Sequence, residues 1–155
     1  MPLAVVLRTL AVALWVGGMV ALDLVEAPVR FTSPLLTRNQ AVQVGQDIIT
    51  RFNRVELVLA LLALGAALLA RSPRWTVGVV GGMVLLLVVQ AGYLAPEIMR
   101  LAQGLDFVNR VPGDPRYASI RTLHSIYSVL EVVILTAGLV VLAAWALGPG
   151  RGEVR

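Results

Sequence analysis

The sequence predicts an all-α integral membrane protein: a four-helix up-down bundle whose helices 2–4 extend beyond the bilayer on one side. Three observations predict this class. Of 155 residues, 58% are hydrophobic and only 14% charged, whereas a soluble domain carries roughly a quarter charged residues. Mean hydropathy is +0.84. Apolar runs of about 20 residues, enough to cross a bilayer as a helix, recur four times between polar breaks.

The first helix is expected over residues 3–22, with Arg8 near one end and an unbroken uncharged run behind it. No small-x-small cleavage site follows, so the segment reads as a retained anchor that ends near Pro28. Pro28 and Pro34 are expected to bracket a short irregular stretch containing Phe31. From there Ala41, Val44, Ile48, Phe52 and Val55 recur at spacings of three and four, one stripe of an amphipathic helix. The stripe runs without a breaker into the apolar residues 57–70, which predicts one long helix over about 38–70.

Arg71-Ser-Pro-Arg74 reads as a tight polar hairpin. The third span covers 75–94, with Pro96 kinking it before an extension over 97–103 closed by Gly104. Asp114-Pro115 is an N-cap followed by proline at the first helical position. The last helix is expected from there to about residue 147, stopped by Gly148-Pro149-Gly150. It measures about 50 Å at 1.5 Å per residue, beyond the ~30 Å of hydrocarbon. Residues 1–150 form a single transmembrane domain without an evident internal repeat, and 151–155 a short polar tail.

All 13 basic residues are arginine, and the net charge is +4. They lie scattered at segment ends, where they can snorkel to an interface, rather than on one face with interleaved aromatics. That placement argues against nucleic-acid binding. Arg8, Arg71, Arg74, Arg151 and Arg155 share one side in short segments, which favours a multi-pass protein of the cell membrane with both termini cytoplasmic. Gly17-Gly18 and Gly78, Gly81 and Gly82 offer small surfaces, read as helix packing within the chain in preference to a dimer face. The expected partners are the lipid bilayer and a second copy or a larger membrane complex.

Ionisable groups within spans are costly in hydrocarbon and usually face a bundle interior, so they are the first candidates for function. His124 and Glu131 lie seven residues apart, nearly two turns, hence on one face within about 20°, with Tyr127 and Ser128 near the same stripe. Gln90, Tyr93 and Glu97 make a matching row on the third helix. Asn53 and Glu56 come from the second helix, with Arg54 alongside, and Asp23 and Glu26 from the first. Convergence of these faces predicts a polar pocket near one membrane edge.

Such a pocket has three functional readings. His124, Glu131, Glu56 and Glu97 supply hard oxygen and nitrogen ligands for a metal ion, although the Glu-x-x-His signature of di-metal bundles is absent. An acidic residue and a histidine in a span also suit a proton or substrate path. A haem could take His124 as axial ligand, with Met99 or another subunit opposite. Against these stands a structural reading, in which Glu131, His124, Arg54 and Arg121 pair to fix helix register. No Walker loop, Gly-x-Ser-x-Gly, His-Glu-x-x-His or dinucleotide fingerprint occurs, so the chain is read as a non-enzyme.

Ala13-Leu-Trp-Val-Gly-Gly18 with Ala27-Pro28-Val-Arg-Phe31, then Gln43-Val-Gly45, Leu94-Ala-Pro96-Glu-Ile98 and Leu123-His124, occur in an order that resembles the transmembrane protein 205-like family of small four-helix membrane proteins. The resemblance covers roughly residues 7–145 and implies the fold without an activity. In that family the last helix reads Leu-His-x-x-Ser with an asparagine seven residues after the histidine; here Tyr127 and Glu131 occupy those two places. A looser likeness to copper-resistance protein D membrane domains implies a metal, while this chain lacks the histidine and methionine richness that soft copper prefers.

Overall fold

A computed structural model describes residues 2–147. The expected stop at Gly148-Pro149-Gly150 and the polar tail with Arg151 and Arg155 lie outside the described residues. Four long helices account for most of the chain: α1 (Pro2–Thr32), α2 (Arg38–Leu69), α3 (Arg74–Ala102) and α4 (Pro115–Leu147). Each is long and apolar enough to cross a membrane, and no strand occurs among the described residues.

Pro28 does not end the first helix. A π turn over Leu22–Glu26 precedes it, and the helix then continues over Ala27–Thr32. A proline brings no N–H and clashes with the carbonyl four residues back, and the wider turn just before it makes room for the ring. The Ala27 N–H donates to Leu22 O, five residues back. The same device recurs in α3: a π turn over Gln90–Leu94, an Ala95 N–H donating to Gln90 O, and then Pro96. Phe31 is therefore helical, and the break falls after Thr32.

The remaining ends follow local chemistry. Thr37 is extended and forms a reciprocal capping box with Gln40 at the start of α2. The α2–α3 turn closes with Arg71 in the left-handed region at φ 52°, the Arg71 N–H donating to Leu68 O and the Ser72 N–H to Ala67 O. At the start of α4 the Asp114 carboxylate accepts the Arg116 N–H at 2.9 Å.

The helices pack in a ring of neighbours, α1 on α2 and α4, and α3 on α2 and α4, with α1 and α2 in the most extensive contact. Small residues of α2 (Ala60, Ala63, Ala66 and Ala67) are buried, as expected where helices associate by close approach in lipid. Trp15, Met19, Met83, Leu87 and Ile134 fill the central core, and Val12, Val16, Val80 and Val141 fill the layer toward Arg8. There Arg8 hydrogen-bonds Ser72 of the α2–α3 turn and lies 4.5 Å over the Trp145 ring of α4. Leucines and valines on the outer faces are exposed, the pattern of a surface solvated by acyl chains. Gly78, Gly81 and Gly82, expected at helix contacts, have no atom within 4 Å of where a Cβ would stand. Gly18 does serve close packing, its Cβ position lying 2.7 Å from the Phe52 ring.

Candidate functional site

Polar side chains gather at the level of the two π turns. A cavity of about 320 Å³ opens there between α1, α2 and α4. From α1 it is lined by Asp23, Glu26 and Arg30, carried by or just after the π turn. Asn53 lines it from α2, and His124, Tyr127, Ser128 and Glu131 line it from α4. The seven-residue spacing of His124 and Glu131 thus does place both on one face, with His124 exposed and Glu131 partly buried.

Behind the cavity runs a buried hydrogen-bonded string. The Tyr127 hydroxyl donates to Asn53 Oδ1 at 3.3 Å, and Gln90 Nε2 donates to the Tyr127 carbonyl at 3.1 Å. α2, α4 and α3 are joined in this way through three buried residues. Glu56, one turn beyond Asn53, is buried and accepts the Trp15 indole N–H at 2.9 Å. It faces α1 and does not line the cavity.

Two expected members are elsewhere. Tyr93 is 62% exposed. Glu97 is held by Arg100 one turn on, with Arg100 Nε to Oε2 at 2.8 Å and Nη2 to Oε1 at 2.6 Å. The row Gln90, Tyr93, Glu97 assumed about 100° per residue; the π turn over Gln90–Leu94 slows that rotation, so the residues after Gln90 turn off its face. Of the four proposed metal ligands, only His124 and Glu131 reach the cavity. Among the described residues, no group of three or more His, Cys, Asp or Glu side chains is arranged to hold a metal ion. The expected pairing of Glu131 and His124 with Arg54 and Arg121 is likewise replaced. The ion pairs among the described residues are Arg30–Glu26, Arg100–Glu97 and Arg116–Asp114.

Arg30 is the residue that sequence reading missed. Its side chain is only 9% exposed, and its Nε lies 3.5 Å from Glu26 Oε1. The one signal for it is its place four residues after Glu26, a spacing that pairs charges on a helix, in a stretch read as irregular. Gly45 of α2 makes the burial possible, because a Cβ there would collide with the guanidinium.

Beyond the spans, the loop between α3 and α4 is fixed by Asp106. Its carboxylate accepts the N–H groups of Val108 and Asn109 at 2.8 and 3.0 Å and the Asn39 amide at 2.9 Å. These donors, led by the Asn109 backbone, hold its carboxyl well below the usual range. The Arg116 side chain does the same for Asp114.

A family model described as Domain of unknown function (DUF4149) matches residues 10–105, which cover α1 from residue 10 onward and all of α2 and α3, with both π turns. No curated protein and no solved structure matches the chain.

Proposed function

The chain belongs to the DUF4149 domain family, and from that premise we propose that it is a non-enzymatic, multi-pass membrane protein that takes up and passes on a small cation, the proton foremost, at the carboxylate-lined cavity. One observation carries this reading. Asp23, Glu26 and Glu131 line a single cavity between apolar helices, with Arg30 as the one arginine among its lining residues. Three carboxylates against one guanidinium leave an excess of negative charge, which attracts a cation and disfavours an anion. Ionisable residues at such depth mark ion and proton paths. His124 adds an imidazole at the same cavity, a group suited to relaying a proton.

The up-down arrangement belongs to the same reading, supported by the meeting of Arg8, Ser72 and Trp145 at one end. The charged ends of α2, α3 and α4 then project beyond the cell membrane's hydrocarbon on the other side, with both termini cytoplasmic. A single cysteine placed at Ser72 and another at Gly113, in a chain that has none of its own, would be labelled from opposite faces of sealed vesicles. Labelling of both from the same face removes this arrangement.

The functional test uses purified protein in phosphatidylcholine liposomes enclosing a pH-sensitive dye. An imposed potential drives proton entry in the wild type, and Glu131→Gln abolishes it while keeping the same thermal unfolding profile. Flux that is identical in the two proteins, or absent from the wild type, removes the proton reading. Absence from the wild type favours an accessory subunit of a larger complex.

A further inference from the structure

A second, larger cavity of about 880 Å³ lies beside the first, and the two share Arg30, Phe31, Ile49 and His124. Its chemistry is opposite. Arg30, Arg38, Arg110 and Arg121 line it, with Asp114 as the one carboxylate. Four arginines less one aspartate leave a formal charge of +3, and Asp114 is already held by Arg116, which does not line the space, at 2.7 Å. The walls between the arginines are apolar, with Val42 and Ile49 from α2, Ile98 from α3 and Ile120 from α4.

A cluster of arginines alone would be a solvated rim, and Arg38, Arg110 and Arg121 are indeed exposed. Arg30 is different. Its Nε and Nη1 are buried and make no hydrogen bond among the described residues, and its guanidinium sits 5.0 Å from the Phe31 ring centroid. Its ion pair with Glu26, 3.5 Å from Nε, is too long to satisfy these donors, and a buried guanidinium short of hydrogen bonds is costly. Nη2, the guanidinium nitrogen that is not buried in this way, is the donor left to the cavity, and the acceptor that suits it is an oxyanion.

We propose that this cavity binds a phosphate-headed amphiphile, its headgroup taken by Arg30 with Arg38 and Arg121 at the rim and its chain laid along the apolar wall. The volume falls in the range of ligand sites, roughly 300–1,000 Å³. The place fits as well: the cavity lies where α1 and α3 end and α2 and α4 begin. Basic pockets between helices at that level attract anionic headgroups. The loop carrying Phe107, Arg110 and Val111 forms part of its lining and is held in place by Asp106 and Asn39. A free phosphate offers the same headgroup chemistry without the chain.

The experiment uses the full-length protein in neutral detergent, titrated with dioleoyl phosphatidic acid, dioleoyl phosphatidylcholine or inorganic phosphate. Binding is read by native mass spectrometry and by the shift in thermal unfolding. No ion gradient is involved, so the result is independent of the cation reading. Phosphatidic acid is expected to bind saturably and phosphatidylcholine not to bind. Arg30→Gln should weaken the affinity by about tenfold or more, the loss expected for a charge-assisted contact. Arg121→Gln, at the exposed rim, should weaken it severalfold and serves as the probe if Arg30→Gln does not fold. Saturable binding of inorganic phosphate with the same dependence on Arg30 and Arg121 supports the site and identifies the free anion as its occupant. Equal binding of phosphatidylcholine, unchanged affinity in both variants, or no binding of any probe overturns the proposal.

Discussion

Trp15 and Glu56 form a buried pair: the indole N–H of α1 donates to the carboxylate of α2 over 2.9 Å, in the middle of the most extensive helix contact. Trp15 is fully buried, and Glu56 is 5% exposed. The pair explains why a carboxylate is tolerated at that depth without a cation beside it, and it takes Glu56 out of the cavity where sequence spacing had placed it.

Trp15→Phe keeps most of the ring volume and removes the donor, leaving a buried acceptor unsatisfied. The expected cost is about 1–3 kcal/mol, read as a lower midpoint of thermal unfolding in detergent. Glu56→Leu in the same background should recover part of that loss, since removing both partners is less costly than orphaning one. A double variant no more stable than Trp15→Phe alone would show that the hydrogen bond is not the source of the loss.

Gly138 of α4 faces Val16 of α1 and Met83 of α3, and a Cβ there would collide with Val16 Cγ2. Val16 has little rotamer freedom in a helix, so the strain has to be taken up by the helix spacing. Gly138→Leu should therefore cost about 1–3 kcal/mol. Gly17→Ala, with nothing within 4 Å of the new methyl, should stay within about 0.5 kcal/mol of the wild type. Comparable midpoints for the two variants would contradict this packing.

The Asp106 loop carries a pH signature. Its folded-state pKa lies below that of the unfolded chain, which is about 3.9. The charged carboxylate therefore contributes stability that is fully present above the unfolded value and is lost as pH falls through the folded one. Hydrogen exchange of residues 103–114 should show Val108 and Asn109 protected at neutral pH and exposed progressively in acid. Asp106→Ala should lack that protection across the whole range. A variant profile that overlays the wild type would detach the loop's order from this carboxylate.

Much of the architecture could be read from the residues. The hairpin at Arg71–Arg74, the continuous second helix and the Asp114-Pro115 start each rest on local signals, and the structure places α2, α3 and α4 accordingly. From sequence alone the first helix ends near Pro28, because a proline normally stops a helix and nothing in a linear pattern announces a π turn ahead of it. The same blindness placed Tyr93 and Glu97 on the face of Gln90. His124, Glu131, Asn53 and Tyr127 line one cavity, and α2 and α4, which carry them, run without interruption through that level. Arg30 escaped notice since its burial depends on Gly45, a neighbour fifteen positions away whose relevance is visible only once α1 and α2 are packed.

The two wide turns have a mechanical consequence. A defect of this kind can travel along a helix as each amide swaps its acceptor. Sliding one step toward the C-terminus would require residue 28 to donate to Asp23 O in α1, or residue 96 to Ala91 O in α3, and both are prolines with no proton to give. Each run of wide-turn hydrogen bonds therefore ends against a residue that cannot extend it. Such a run can lengthen only toward the Arg8 end in α1 and the Arg74 end in α3, where each residue still has an N–H to give.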